Sequence, residues 1–315
     1  MAADFLHNHR QFGDLLNIVA EKMGIDPYLV EKDYWIMNVL YGLKQQGFSF
    51  ELKGGTSLSK GFGIIQRFSE DIDIHISPPQ ELNVNATGKK TNAVNSRKEF
   101  YDWLNEKIAI NGIIENVRDT QFDNLKTYTS GGIRLHYKRL TQPVAGLKEG
   151  ILLEAGFDTV APNQLVDISS WAYDHASDLG ISLIDNRAMG IACYNPGYTF
   201  VEKLQTIATK YRKEQESRNQ GVNFMRQYYD VYCLLENPEV LSFIGTQEYQ
   251  THKEKRFPAA DKLVSLQSNQ CFILDDPEIK ASFIRRYKST AGLYYNGQPN
   301  FEKLIKRIEE YLQSL

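Results

Sequence analysis

The sequence predicts an α+β fold, with a mixed β-sheet and flanking helices followed by a helical C-terminal domain. Apolar residues recur at helical spacing in two segments before residue 44. Short runs of β-branched and apolar residues, bounded by turn-forming residues, then follow between Phe48 and Phe157. From Thr199 onward the apolar spacing is mostly helical. We therefore predict one domain at 1–190 and a second at 191–315.

The two N-terminal helices have recognisable ends. The first covers about residues 10–24, where Gly24 ends the apolar pattern. The second begins at Asp26, a good N-cap residue, with Pro27 in the first helical position. Its apolar face continues to about Leu43. Both helices precede the segment that carries the chemistry.

The predicted sheet is assembled from five short strands. A helix at Ser57–Ile65 is expected after the first strand, and a polar, exposed loop at 78–96 leads to a helix at Ser96–Ile110. The strands are predicted at Phe48–Leu52, Asp71–Ile76, Ile114–Arg118, Gly132–Tyr137 and Ile151–Phe157.

Composition narrows the functional classes. The 315 residues carry a formal net charge of only -3, so any nucleic-acid surface must be a local patch. Three widely spaced cysteines argue against a disulfide framework or a zinc site. The N-terminus is too polar for a signal peptide, and no run of 18 apolar residues occurs. We expect a cytoplasmic protein with no membrane association.

Two carboxylates on one predicted strand form a candidate metal site. Asp71 and Asp73 are separated by one residue, and side chains in a strand alternate between its faces. Both carboxylates therefore share a face, while the isoleucines between and after them face the core. Hard oxygen ligands suit Mg²⁺ or Mn²⁺, which bind through few carboxylates plus substrate phosphates. This pair indicates a phosphorylated substrate.

A glycine turn lies 16 positions before this carboxylate pair. Gly54 and Gly55 lack Cβ atoms, which lets backbone N–H groups approach a phosphate, and Thr56 and Ser57 could add hydroxyl donors. An in-line attack on an α-phosphate needs both phosphate-binding donors and metal-binding carboxylates. An Asp-x-Asp alone also occurs in glycosyltransferases and calcium sites, but the two features together favour nucleotidyl transfer.

Four ordered motifs resemble one known family. They are KGGT at 53–56 with R-x-S-E-D-x-D at 67–73, EKDY at 31–34, EKL at 202–204 and RQYYDVY at 226–232. The chain resembles the AbiEii/AbiGii family of nucleotidyltransferase toxins, which belong to the DNA-polymerase-β-like superfamily. The resemblance implies that fold for the first domain and covers residues 31–232.

The resemblance also implies further site residues. It calls for a third carboxylate on a neighbouring strand, for which Glu154 is the best candidate and Asp158 the fallback. The metal set is thus predicted as Asp71, Asp73 and Glu154, and the catalytic set adds Lys203 and Asp230. The nucleotide-binding set is predicted as Gly54, Gly55, Thr56, Ser57, Arg67, Ser69, Lys203 and Arg226. Lys203 suits a phosphate as a point charge, and Arg226 as a planar fork.

By the same resemblance, the protein would transfer NMP from an NTP to an acceptor hydroxyl on RNA, such as a tRNA 3′ end. It would be the toxin of a type IV toxin–antitoxin or abortive-infection system, opposed by a separate antitoxin that need not contact it directly. Two alternatives remain open. One is nucleotide transfer to a protein hydroxyl, as in AMPylation, and the other is a non-catalytic nucleotide-binding regulatory module.

Several other features have simpler interpretations. His75 falls on the carboxylate face, where we expect it at the rim of the site. Tyrosines 228, 229 and 232 have helical spacing and are expected in the core. The basic clusters at 210–213, 252–256 and 285–288 are expected to be solvated faces, unless they converge beside the site as a phosphate track.

Overall fold

The computed structural model describes residues 3–144, 146–217 and 219–315. The chain divides into two compact units. The first contains the residues up to Phe62 together with Phe68–Tyr194, and the second contains Gly63–Arg67 together with Asn195–Leu315. The predicted domains at 1–190 and 191–315 stay a prediction that limited proteolysis can test.

The first unit is built on a mixed sheet. Its helices are α1 (Phe12–Met23), α2 (Pro27–Gln45), the short α3 (Gly54–Thr56), α4 (Thr91–Lys107) and α5 (Trp171–Asp178). Its strands are β1 (Ser49–Lys53), β2 (Asp71–Ser77), β3 (Ile113–Arg118), β4 (Ser130–Tyr137), β5 (Ile151–Gly156), β6 (Asn163–Ile168) and β7 (Ala188–Tyr194). In the described residues they form one sheet in the order β3-β4-β5-β2-β1-β7-β6. Pairs β2·β5 and β1·β7 are parallel and the others antiparallel, which confirms the predicted α+β class.

Helix α2 is the main support of this sheet. As predicted, Asp26 caps it by accepting a hydrogen bond from the backbone N–H of Tyr28 at 2.8 Å, and Pro27 takes its first position. The helix packs against β5 and β7 on one side and against α1 and α5 on the other. It is therefore buried along most of its length, including its charged residues Glu31, Lys32 and Asp33.

Three predictions for the first unit were wrong in detail. The predicted helix at Ser57–Ile65 is a single π-helical turn, Ser57–Gly61, followed by irregular chain. Helix α4 begins at Thr91, five residues before the predicted start. The prediction missed its first turns because they are polar and lack an apolar stripe. Strands β6 and β7 were not predicted. The edge strand β6 is largely exposed and polar, so it lacks the apolar alternation that marks a half-buried strand.

The second unit is helical, as predicted. Its helices are α6 (Pro196–Ser217), α7 (Arg226–Leu234), α8 (Pro238–Phe243), α9 (Gln247–Arg256), α10 (Gln270–Ile273), α11 (Pro277–Lys288) and α12 (Phe301–Tyr311). Helix α6 packs against α7, α8 and α9, and α12 packs against α7 and α10. Tyr228, Tyr229 and Tyr232 are all buried on α7, which confirms their expected place in the core. Within the described residues, no helix is both long and apolar enough to cross a membrane.

Candidate active site

The register of β2 and β5 places three carboxylates on one face of the sheet. Asp73 pairs with Glu154 across the two parallel strands, and Asp71 lies two residues before Asp73 on β2. Because paired residues project to the same side and side chains alternate along a strand, the three share that face. We call Asp71, Asp73 and Glu154 the acidic face. The intervening Ile72 and Ile74 are fully buried, as the alternation predicts.

The glycine turn follows β1 and touches the acidic face directly. Gly54 has φ +73°, and a Cβ atom there would lie 2.3 Å from Oδ2 of Asp73. Glycine is therefore required at this position both for the left-handed backbone and for the close approach of the carboxylate. The turn and Asp73 form one packed group.

The two hydroxyls of this turn are hydrogen-bonded inside the protein. Thr56 donates through Oγ1 to the backbone oxygen of Asp71 at 2.5 Å, and Ser57 donates to the backbone oxygen of Gly54 at 2.9 Å. Both side chains are fully buried. Thr56 thus ties the turn to the start of β2, and a phosphate contact for either hydroxyl stays a prediction.

The carboxyl group of Asp71 lies in an environment that disfavours its charge. Its pKa is raised to about 6, first by burial and then by the negative charges of Glu70 and Asp73, while Lys32 and Arg134 act in the opposite direction. Ionised Asp71 is therefore electrostatically unfavourable in the protein without a cation. A bound cation would reverse that penalty.

Two carboxylates of the acidic face, rather than three, suit Mg²⁺ or Mn²⁺ chemically. In the part of the chain that the structure describes, no three His, Cys, Asp or Glu side chains converge as a metal-holding group. Mg²⁺ is commonly bound by one or two carboxylates, with waters and substrate phosphates completing its shell. Asp71 and Asp73 fit that pattern, and Glu154 as a third ligand stays a prediction.

The predicted basic residues of the second unit form a buried network with Asp230. Arg67 donates to Asp230 from Nε at 2.7 Å and from Nη2 at 2.6 Å, and Nζ of Lys203 lies 2.9 Å from Asp230 Oδ2. Burial works to raise the pKa of Asp230, but the charges of Arg67 and Lys203 outweigh it, so the pKa is lowered. Asp230 is fully buried, and the contacts described for it make it a partner of two cations.

Two predicted site residues, Ser69 and Arg226, are both partly exposed. His75 lies on the same side of β2 as Asp73 and is partly buried, with Nδ1 2.5 Å from Oε2 of Glu51 on β1. The structure thus gives His75 a carboxylate partner at the rim of the acidic face.

Two charged residues near the acidic face were not predicted as site residues, although Lys32 belongs to the EKDY motif. Lys32 on α2 is buried, with Nζ 3.6 Å from Oε2 of Glu70. Arg134 on β4 is 7% exposed, pairs with Asp119 and acts on Asp71. The signal for Arg134 is a charged residue inside an otherwise apolar strand, and the signal for Lys32 is the EKDY motif at 31–34.

One arginine of each basic cluster is paired with acidic residues of the second unit. Arg212 pairs with Asp261 and Glu216, Arg256 with Glu202, and Arg286 with Glu214. These ion pairs favour the simpler interpretation of the clusters over that of a phosphate track.

A mixed sheet with an Asp-x-Asp pair beside a glycine turn is the arrangement of a nucleotidyltransferase. A model of the family described as "Nucleotidyl transferase AbiEii toxin, Type IV TA system" matches residues 38–314, most of the chain. The protein therefore belongs to the AbiEii nucleotidyl transferase toxin family, as its motifs predicted.

Comparison with other proteins adds little to this assignment. No curated protein matches the chain. Among solved structures, the crystal structure of an antigenic nucleotidyltransferase-like protein from Paracoccidioides brasiliensis is similar, at 11% sequence identity and a TM-score of 0.37. The match covers 80% of this chain and 92% of that one.

Proposed function

We propose that the protein transfers a nucleoside monophosphate from an NTP to a hydroxyl of RNA, such as a tRNA 3′ end, using Mg²⁺ or Mn²⁺. The observation that carries the proposal is the common face of Asp71 and Asp73, in contact with the Gly54 turn. Family membership supports nucleotidyl transfer and a toxin role in a type IV toxin–antitoxin system. The RNA acceptor and an antitoxin acting without direct contact rest on the sequence resemblance, and the cytoplasmic location rests on the cysteine pattern and the polar N-terminus.

The reaction is an in-line displacement at the α-phosphorus. The acceptor oxygen forms a bond to phosphorus as the bond to the bridging oxygen of pyrophosphate breaks. Asp71 and Asp73 would hold the cation, which neutralises phosphate charge and makes the acceptor hydroxyl more acidic. Glu154, across from Asp73, is the carboxylate that we assign to the hydroxyl proton.

The other predicted site residues have binding or positioning roles. The backbone N–H groups of Gly54 and Gly55 keep the phosphate-binding role that the sequence predicts, while the Asp73 carboxylate fills the space left by the missing Cβ atom of Gly54. Lys203 and Arg226 keep the phosphate-binding role that the resemblance implies. Asp230 acts as a positioning residue, because it holds Arg67 and Lys203 in place through buried contacts.

Incubation of the purified protein with each labelled NTP, Mg²⁺ and either total RNA or total protein tests the proposal. Label in RNA is the expected result. Label in protein would replace the RNA acceptor with a protein hydroxyl, while tight NTP binding without transfer would indicate a regulatory module. Asp73→Asn is the matched negative control, because it removes one charge with little change in shape.

A further inference from the structure

Lys32 is a buried cation next to the acidic face, and the proposed reaction does not use it. Its side chain is 1% exposed, and its Nζ lies 3.6 Å from Oε2 of Glu70, slightly beyond hydrogen-bond distance. In the described part of the chain, neither of these two atoms has a hydrogen-bond partner. Glu70 immediately precedes Asp71, and the charge of Lys32 acts on the Asp71 carboxyl.

An ammonium in such a place needs an explanation. Burying a charge without hydrogen bonds is unfavourable, and a well-packed apolar side chain of similar volume usually serves stability better. Glu70, Asp71 and Asp73 bring three carboxylates into four consecutive residues, and Lys32 pairs with the first of them and acts on the second. The positive charge of Lys32 therefore offsets the negative charge of these carboxylates.

We propose that Lys32 is the internal counter-ion of the acidic face. It offsets the repulsion around Glu70 and Asp71 in the metal-free protein, and it thereby weakens the attraction of the face for a divalent cation. The inference rests on the proposed function, since it takes Asp71 and Asp73 as the cation ligands. Lys32 is a positioning residue, because its buried Nζ acts on the cation through the carboxylates.

Thermal unfolding of the full chain at increasing MgCl₂ concentrations tests this role without any activity measurement. Lys32→Met removes the charge and keeps the side-chain length. Because a positive charge near the cation is lost, half-maximal stabilisation should occur at a roughly three- to tenfold lower Mg²⁺ concentration than in the wild type. The metal-free variant should unfold at a lower temperature than the metal-free wild type.

A second variant tests the same electrostatic balance from the other side. Glu70→Gln removes a negative charge, so its half-maximal Mg²⁺ concentration should rise. The double variant should return to within about twofold of the wild type, because the two changes offset each other. If Lys32→Met does not fold, Glu70→Gln alone decides, and an unchanged Mg²⁺ concentration would overturn the proposal.

Lys60 offers a matched control. Its Nζ lies 2.6 Å from Oδ1 of Asp33, a fully buried carboxylate that neighbours Lys32 on α2. Lys60→Met also breaks a lysine–carboxylate pair against α2, so it should lower the unfolding temperature equally with and without Mg²⁺.

Two results would overturn the proposal. In the first, the half-maximal Mg²⁺ concentration of Lys32→Met stays within about twofold of the wild-type value. In the second, Lys60→Met shifts that concentration as far as Lys32→Met does. A wild-type protein that Mg²⁺ and Mn²⁺ do not stabilise at all would overturn the cation ligands of the proposed function as well. The failure of the counter-ion alone is thereby distinguishable from the failure of the site.

Discussion

The carboxylate of Asp230 accepts hydrogen bonds from both Nε and Nη2 of Arg67, at 2.7 and 2.6 Å. Asp230 is fully buried and Arg67 is 3% exposed, so water does not weaken the pair. Four residues after Arg67 the chain reaches Asp71. The pair therefore anchors in the second unit the segment that continues into the acidic strand.

Breaking this pair should destabilise the protein strongly. Asp230→Asn leaves the buried charges of Arg67 and Lys203 uncompensated, which is expected to cost about 3–5 kcal/mol of the free energy of unfolding. Urea denaturation measures the loss. Asp185→Asn is the matched control, because Asp185 forms a similar fork with Arg187 at the surface, where such pairs contribute under about 1 kcal/mol. Equal losses in the two variants would contradict the structural role of Asp230.

Removing the charge of Asp71 should stabilise the metal-free protein. The pKa of Asp71 is about 6 in the fold against an ordinary value of 3.8, so ionising Asp71 works against folding. That cost is absent below the ordinary value, grows as the pH rises between the two values, and is complete above pH 6. Asp71→Asn should thus raise the free energy of unfolding at neutral pH by on the order of 1–3 kcal/mol, with little effect near pH 4. Chemical denaturation in EDTA at several pH values checks this, and a destabilised variant at neutral pH would contradict it.

Gly54 should be intolerant of a side chain for a reason specific to the site. In Gly54→Ala, the new Cβ would meet the Asp73 carboxylate and displace it, so nucleotidyl transfer should fall by roughly 100-fold. Gly24→Ala is the control for backbone strain. Gly24 also has a positive φ, +67°, but a Cβ there would contact nothing within 4 Å. Single-turnover transfer rates of Gly54→Ala and Gly24→Ala test this prediction. Comparable rates in the two variants would show that Asp73 tolerates the displacement.

Glu154 can be tested as proton acceptor separately from metal binding. If Glu154 takes the hydroxyl proton, Glu154→Gln should lower kcat by about 100-fold, with KM for the NTP nearly unchanged. Stabilisation by Mg²⁺ should then persist in this variant, since Asp71 and Asp73 remain. Loss of the Mg²⁺ response would instead make Glu154 a metal ligand, as the sequence analysis predicted.

The acidic strand could be predicted because strand alternation is local. A period of two is enough to place Asp71 and Asp73 on one side and the isoleucines on the other. The partners of Arg67 could not be predicted in the same way. Asp230 lies 163 residues away, and nothing in the sequence shows which of the many acidic residues Arg67 contacts.

The burial of charged side chains could not be predicted from the sequence either. Lys32 belongs to the EKDY motif, but the sequence does not show that its side chain is buried, because charged residues usually face solvent. Only the packing of α2 against the sheet and against α1 and α5 turns that position inward. The sequence analysis missed strand β6 for the opposite reason, because an exposed edge strand needs few apolar residues.

The most direct test of the central claim is label transfer by variants of the two strand carboxylates. Labelled NTPs, Mg²⁺ and total RNA are incubated with the wild type, with Asp71→Ala, with Asp73→Ala and with the control Glu115→Ala, an exposed carboxylate on β3. The wild type and the control should label RNA equally, while both aspartate variants should be more than about 100-fold slower. Wild-type labelling by Asp71→Ala and Asp73→Ala would contradict the assignment of the acidic face as the active site.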